Sequence, residues 1–203
     1  MNTTCWHTDI SILNMLSAYN KNPDLLNTEH GRRLQDLTEQ LSCLKCIDIG
    51  CGSANANVLF KNYTGLDLPY IIDNLSKKTN PELNYIRCNA ETDYINFLIY
   101  YDVVLLNAFI DIMKYPLKML DKILKYAKNY VIIHRQEITE HGDTKAILNQ
   151  SYGGHTWHSI INRKDFDNLI KKHNFEILKE VNLGFDNWEN SGSSFLLKKA
   201  KHD

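Results

Sequence analysis

The run Cys46-Ile47-Asp48-Ile49-Gly50-Cys51-Gly52-Ser53 constrains this chain more than any other segment. A short apolar stretch ends in a turn holding two glycines one residue apart. Glycine has no Cβ, so such a turn can bend tightly and approach a ligand closely. Downstream, Tyr63-Thr64-Gly65-Leu66-Asp67 reads as a second short strand ending in a carboxylate. A glycine turn followed by an acid is how an open α/β sheet receives a nucleoside, with backbone under one end and the acid at the ribose hydroxyls. A dinucleotide fingerprint requires another glycine three residues after the second. That position is Asn55, so a pyrophosphate-binding helix start is not encoded.

Apolar runs near 44–49, 63–67, 83–88, 101–107 and 129–134 read as strands, with helical segments between most of them. Such alternation predicts parallel strands joined by right-handed crossovers. Two helices precede them. Ile10, Leu13 and Leu16 mark the first, and Leu34, Leu37 and Leu41 mark a second from about Thr28 to Leu41. Residues 1–203 read as one domain: a helical cap over 1–42, a cofactor-binding core over 43–134, and a substrate loop or insertion over 135–161. A helix and a strand pair over 162–203 close it. The 135–161 stretch reads as a long loop or insertion because it is polar, rich in histidine and contains Gly153-Gly154.

These segments, in this order, resemble the class I S-adenosylmethionine-dependent methyltransferases, of the small-molecule, bacterial type. Asp48-Ile49-Gly50-Cys51-Gly52-Ser53 matches the family's first motif, Arg87-Cys88-Asn89-Ala90-Glu91 its third-strand exit, and Tyr101 to Phe109 its fourth strand and exit loop. The family often has another glycine where Ala54 stands, and commonly aspartate where Asn89 stands. The resemblance implies an α/β, Rossmann-like sheet of seven mostly parallel strands, the last inserted antiparallel, with helices on both faces. It also implies S-adenosyl-L-methionine as cofactor. Asp48, Gly50, Cys51 and Gly52 would lie toward its methionine moiety, Asp67 and Leu68 at its ribose, Asn89 and Ala90 at its adenine, and Asn107 at the strand exit.

Methyl transfer needs a nucleophile held in line with the methyl, and a base when the nucleophile carries a proton. Histidine suits that role near neutral pH. His134, directly after the fifth strand, is the leading candidate, followed by His155 and His158. Arg135, Tyr152 and Trp157 are candidate substrate contacts, joined by Glu137 and, from an N-terminal lid, Trp6 and His7. Arg32 or Arg33 suits the cofactor carboxylate, and the same spacing suits two surface arginines. The His155-x-x-His158 and Cys43-x-x-Cys46 pairs each lack further ligands, so no metal is expected.

With 203 residues, 43% hydrophobic content and a formal charge of -1, the chain shows no basic excess for a phosphate backbone. The expected partner is therefore a small molecule rather than a nucleic acid. No apolar run reaches the ~20 residues of a membrane span, and Met1 to Trp6 lacks the features of a secretory signal. A cytoplasmic location is the default expectation. Methyl transfer to oxygen or nitrogen of a small metabolite is the leading reading. A nucleic-acid or protein methyltransferase and a non-catalytic cofactor-binding module of the same fold stand as alternatives, with a nicotinamide oxidoreductase last.

Overall fold

The computed structural model describes residues 8–21, 24–151, 154–182 and 192–200. Trp6, His7 and Tyr152 lie outside the described residues. Among the described residues, nine strands form one sheet: β1 (Lys45–Ile49), β2 (Asn62–Asp67), β3 (Asn84–Arg87), β4 (Val103–Asn107), β5 (Tyr130–Thr139), β6 (Lys145–Ser151), β7 (Gly154–Asn162), β8 (Phe175–Asn182) and β9 (Gly192–Lys199). The first five are mutually parallel in the order β3-β2-β1-β4-β5. β9 runs antiparallel along β5, and β8 antiparallel along β9. The expected seven-stranded core is thus present as β3-β2-β1-β4-β5-β9-β8, with β9 the reversed strand. Strand order reverses between β1 and β4, the point where open α/β sheets bind ligands.

Successive side chains of a strand face opposite sides. Ile47, Ile49, Val104, Leu106, Val131 and Ile133 pack on one face, against Leu120, Ile123 and Leu124 of α5 (Pro116–Tyr126) and Phe166 of α6 (Arg163–Lys172). Cys46, Val103, Leu105 and Ile132 pack on the other, against Leu34 and Leu37 of α2 (Glu29–Thr38). Helices therefore cover both faces. The Phe166 and Phe195 rings, 4.6 Å apart, pin α6 to β9, and truncating such a ring costs about 3–5 kcal/mol. Both helices are capped by their own sequence. Thr28 Oγ1 accepts from Gly31 N–H, and Asn162 Oδ1 accepts from Lys164 and Asp165 N–H.

Three expectations change. The first helix, α1 (Asp9–Lys21), turns Ile10 and Leu13 outward, 58% and 64% exposed. Ile12 faces inward instead, with Met15 and Leu16, against Ile71 and Leu75. These two belong to a helical segment of α3 (Pro69–Ile71), a π turn (Ile72–Ser76) and α4 (Lys77–Thr79). Second, the β1–β2 connection holds only a 3-10 turn, Asn55–Leu59. Its first residues are spent on the left-handed Gly50, Gly52 and Ala54, which leaves too few for a full helix.

Third, residues 135–161 are not a loop. They complete β5 and add the antiparallel β6–β7 hairpin, so the insertion is a folded one. Residues 130–134 of β5 pair with β4 and residues 137–139 pair with β7, while β9 occupies the opposite edge. β4 and β7 therefore share one edge of β5, in succession. This places the hairpin beyond the carboxyl end of β4, above the switch point.

Candidate functional site

The glycine turn is closed on one side and open on the other. Gly50, at φ 75°, accommodates the Phe109 ring, since a Cβ there would sit 2.4 Å from Phe109 Cδ2. Gly52, at φ 52°, has open space where a Cβ would point. Gly50 thus serves packing as well as the turn, and the open approach is over Gly52. Ala54 takes φ 59°, a left-handed conformation that the family's usual glycine would adopt without strain. The Cys51 thiol points away from the opening. It is buried against Gly65 and lies 3.9 Å from Ser76 Oγ.

Asp67 ends β2 beside this turn. Its carboxylate accepts from Gly52 N–H at 2.9 Å and from Leu68 N–H at 2.7 Å. Burial pushes its pKa up to about 6, against the pull of these two N–H groups. A carboxylate has room for further donors, and a ribose diol supplies two. After β3, Asn89 Oδ1 accepts from Glu91 N–H, capping a turn. Lys122 Nζ of α5 clamps that turn through the carbonyls of Ala90 and Asp93, each at 2.7 Å. Nothing local in the sequence signals Lys122, because its partners lie about thirty residues away.

Three polar side chains form a row on the α2-covered face. Asp48 pairs in register with Leu105, and Asn107, two residues on, pairs with His134. All three share the face of Cys46, Leu105 and Ile132 by alternation. Tyr63 OH donates to Asp48 Oδ2 at 2.6 Å, while Asp48 Oδ1, Asn107 Oδ1 and His134 Nε2 are buried with no partner. Burial pushes Asp48 up to about 7. The Asn107 oxygen, and that of Asp48 once its carboxyl gives up its proton, suit an ammonium such as the one carried by S-adenosylmethionine. Together with the open Gly52 and Asp67, they make the residues present a fit for that cofactor.

The surroundings of His134 do not suit the base expected there. His134 is 1% exposed, its Nδ1 shares a 2.7 Å hydrogen bond with Ser194 Oγ, and its ring lies 6.2 Å from that of His30 on α2. Burial, then the Arg135 and His30 charges, drive its pKa down to about 3. So weak a base does not take protons effectively near neutral pH. His155 and His158 also separate. On a strand, residues three apart face opposite sides, and His155 is exposed while His158 is half-buried. The pair therefore cannot chelate one ion.

His158 is held differently. Its Nε2 donates to Glu137 Oε2 at 2.7 Å, and Glu137 is 3% exposed. A buried carboxylate that fixes one imidazole nitrogen is the arrangement that orients a base. His158, Trp157 and Arg135 line a cavity of about 190 Å³ with Asp111 and Ala108. Asn149, Ser151 and Thr156 of the hairpin add polar wall. Burial pushes Asp111 up to about 6, with Arg135 and His158 pulling the other way. Sequence reading missed Asp111, although an acid inside Phe109-Ile110-Asp111-Ile112-Met113 is itself a signal of a buried carboxylate. Ala108 at φ 51° and Arg135 at φ 68° are the strained residues beside this cavity. Arg32 and Arg33 donate to Leu26 O and Glu29 respectively.

A family model described as a methyltransferase domain matches residues 11–180. The comparison with curated proteins gives no match. Among solved structures, DesVI of Streptomyces venezuelae superposes with a TM-score of 0.64 at 11% identity, over 96% of this chain and 100% of that one. CalS10, an amino pentose methyltransferase from Micromonospora echinaspora involved in calicheamicin biosynthesis, gives 0.63 at 12% identity, over 91% and 96%. The Burkholderia thailandensis 1,6-didemethyltoxoflavin-N1-methyltransferase gives 0.61 at 12% identity, over 95% and 88%. Likeness at these identities is one of fold. With the matched domain model spanning most of its length, the chain belongs to the methyltransferase-domain family, in the class I fold whose cofactor is S-adenosylmethionine.

Proposed function

We propose that this protein transfers a methyl group from S-adenosylmethionine to an oxygen or nitrogen of a small metabolite held in the cavity between β4, β5 and the β6–β7 hairpin. One observation carries the reading. Among the described residues, the buried side-chain atoms without a hydrogen-bond partner belong to Asp48, Asn107, Asp111, His134, Arg135 and Gln136. All sit at the carboxyl ends of β1 and β4, in the turn after β4, or where β5 leaves β4. Buried polar atoms are normally satisfied, so a concentration of orphans at the switch point supports a site whose partners arrive with ligands. The solved relatives add support, since the amino pentose and toxoflavin enzymes act on small molecules.

When bound, S-adenosylmethionine supplies a methyl already activated on a sulfonium. What is left to the chain is binding, alignment and proton removal. Asp67 holds the ribose side, with Asp48 and Asn107 offering acceptors toward the methionine ammonium. His158, its Nε2–H fixed by Glu137, receives at Nδ1 the proton of the attacking hydroxyl or amine. The hairpin walls the cavity against water, which strengthens those polar contacts.

The test is calorimetric titration with S-adenosylhomocysteine on the wild type and on Asp67→Ala. Losing charge-assisted hydrogen bonds weakens binding about 10–100-fold. Equal affinity in the two proteins would remove Asp67 from the site.

A further inference from the structure

Two charged groups at the cavity have no part in proton removal. Asp111 Oδ1 and Arg135 Nε are both buried without a hydrogen-bond partner, and each side chain lines the cavity. The acid feels the guanidinium's charge, yet these atoms do not bond each other. Glu137, the neighbouring carboxylate, is engaged with His158. Arg135 also occupies the irregularity in β5 between Ile133 and Gln136, at a positive φ of 68°. A bulge of this kind re-aims a side chain, and a non-glycine residue holds such a φ only where its surroundings impose it. Here the effect is to bring a guanidinium to the cavity wall. A half-buried guanidinium on a cavity wall, its Nε unpartnered, suits a forked oxygen anion.

We propose that the methyl acceptor is a small molecule bearing an anionic group, carboxylate or phosphate, that pairs with Arg135, and an adjacent hydroxyl or amine that faces Asp111 and His158. The proposal rests on the methyl-transfer reading in taking this cavity as the acceptor site. A neutral polyol would accept from the guanidinium without matching its charge, and a simple cation would leave its Nε without an acceptor. An anion without a neighbouring donor would leave Asp111 unsatisfied. Hydroxy acids, amino acids and small phosphate esters meet all three conditions.

The test is calorimetric binding with three matched pairs: serine and serinamide, glycerate and glyceramide, glycerol 3-phosphate and glycerol. Each pair is run on the protein alone and on the protein saturated with S-adenosylhomocysteine. At least one anion should bind ten-fold or more tightly than its partner lacking the anion. Carboxylate and phosphate arms then identify which group Arg135 receives. In Arg135→Gly, whose backbone suits a positive φ and so keeps the fold, the preference should fall below two-fold. No pair with an anion preference, or a preference that survives in Arg135→Gly, would overturn the proposal. S-adenosylhomocysteine titration of the same samples reads the underlying assignment separately. Loss of its binding beside an intact anion preference counts against methyl transfer, and retained binding without the preference counts against the acceptor class alone.

Discussion

On the β1–β3 side of the sheet, the Asp67 carboxylate takes two backbone N–H groups, and the turn residues at positive φ are Gly50, Gly52 and one alanine. On the β4–β5 side, Asn107, Asp111, His134, Arg135 and Gln136 all keep a buried polar atom unpartnered, and the positive-φ residues are Ala108 and Arg135. The first side is built largely in backbone, close to its working geometry. The second carries side chains whose partners are missing, at about 1–3 kcal/mol for each orphaned group. A cofactor of constant shape can be received by a backbone mould. Under the proposed reading Asn107 still serves the cofactor, while Asp111 and Arg135 keep hydrogen bonds open for an acceptor, which needs side chains specific to it. Asp48, orphaned through Oδ1 on the first side, sits beside β4 and marks the border between the two.

The sharpest way to break this contrast is to disarm the second side while leaving the first intact. His158→Ala and Glu137→Gln should each lower kcat, with His158→Ala the larger at about 10²–10⁴-fold. S-adenosylhomocysteine affinity should be unchanged in both. A parallel fall in kcat and in that affinity would mean that the two sides are not separable.

The border residue comes next. Burial keeps Asp48 protonated up to about pH 7, whereas its ordinary pKa is 3.8, so unfolding releases a proton between those values. Its contribution to stability is therefore complete below about pH 4 and is lost as pH rises through 7, by at most about 4 kcal/mol. Asp67 and Asp111, each raised to about 6, act in the same sense over a narrower window. Asp48→Asn keeps an acceptor for Tyr63 and removes the steepest of these dependences. Urea unfolding at pH 5 and pH 8 should show a smaller stability difference than in the wild type, and an unchanged difference would place the proton elsewhere.

The smallest effects lie within the backbone mould. Gly50→Ala sets a Cβ 2.4 Å from the Phe109 ring at φ 75° and should cost about 2–3 kcal/mol. Ala54→Gly relieves a left-handed alanine while losing a buried methyl. Terms of ~1 kcal/mol and ~0.8 kcal/mol oppose each other, so its melting temperature should stay within a degree or two of the wild type. A large drop for Ala54→Gly would show that packing, not conformation, holds the turn.

Much of the nucleotide side was legible because its signals are local. Two glycines, an acid at the end of the next strand and the alternation of Ile47 and Ile49 all report on neighbours a few residues away. The β4–β5 side was read poorly for the opposite reason. Residues 145–151 are mostly exposed on both faces, so they lack the apolar alternation that marks a half-buried strand, and the hairpin went unseen. His134 looked like the better base because it directly follows an apolar strand. Only the packing of α2, with His30 against it, shows how dry that position is.

The alternation of strands and helices, the glycine turn and the acid that ends β2 were written in the chain itself, because Cβ sterics and side-chain alternation act over short separations. The tertiary structure alone decided which histidine meets a carboxylate, since β5 must bend and carry β7 beside it before Glu137 reaches His158. It also decided that Asp111 and Arg135 face one cavity from separate segments, because burial and field strength are properties of the assembled core.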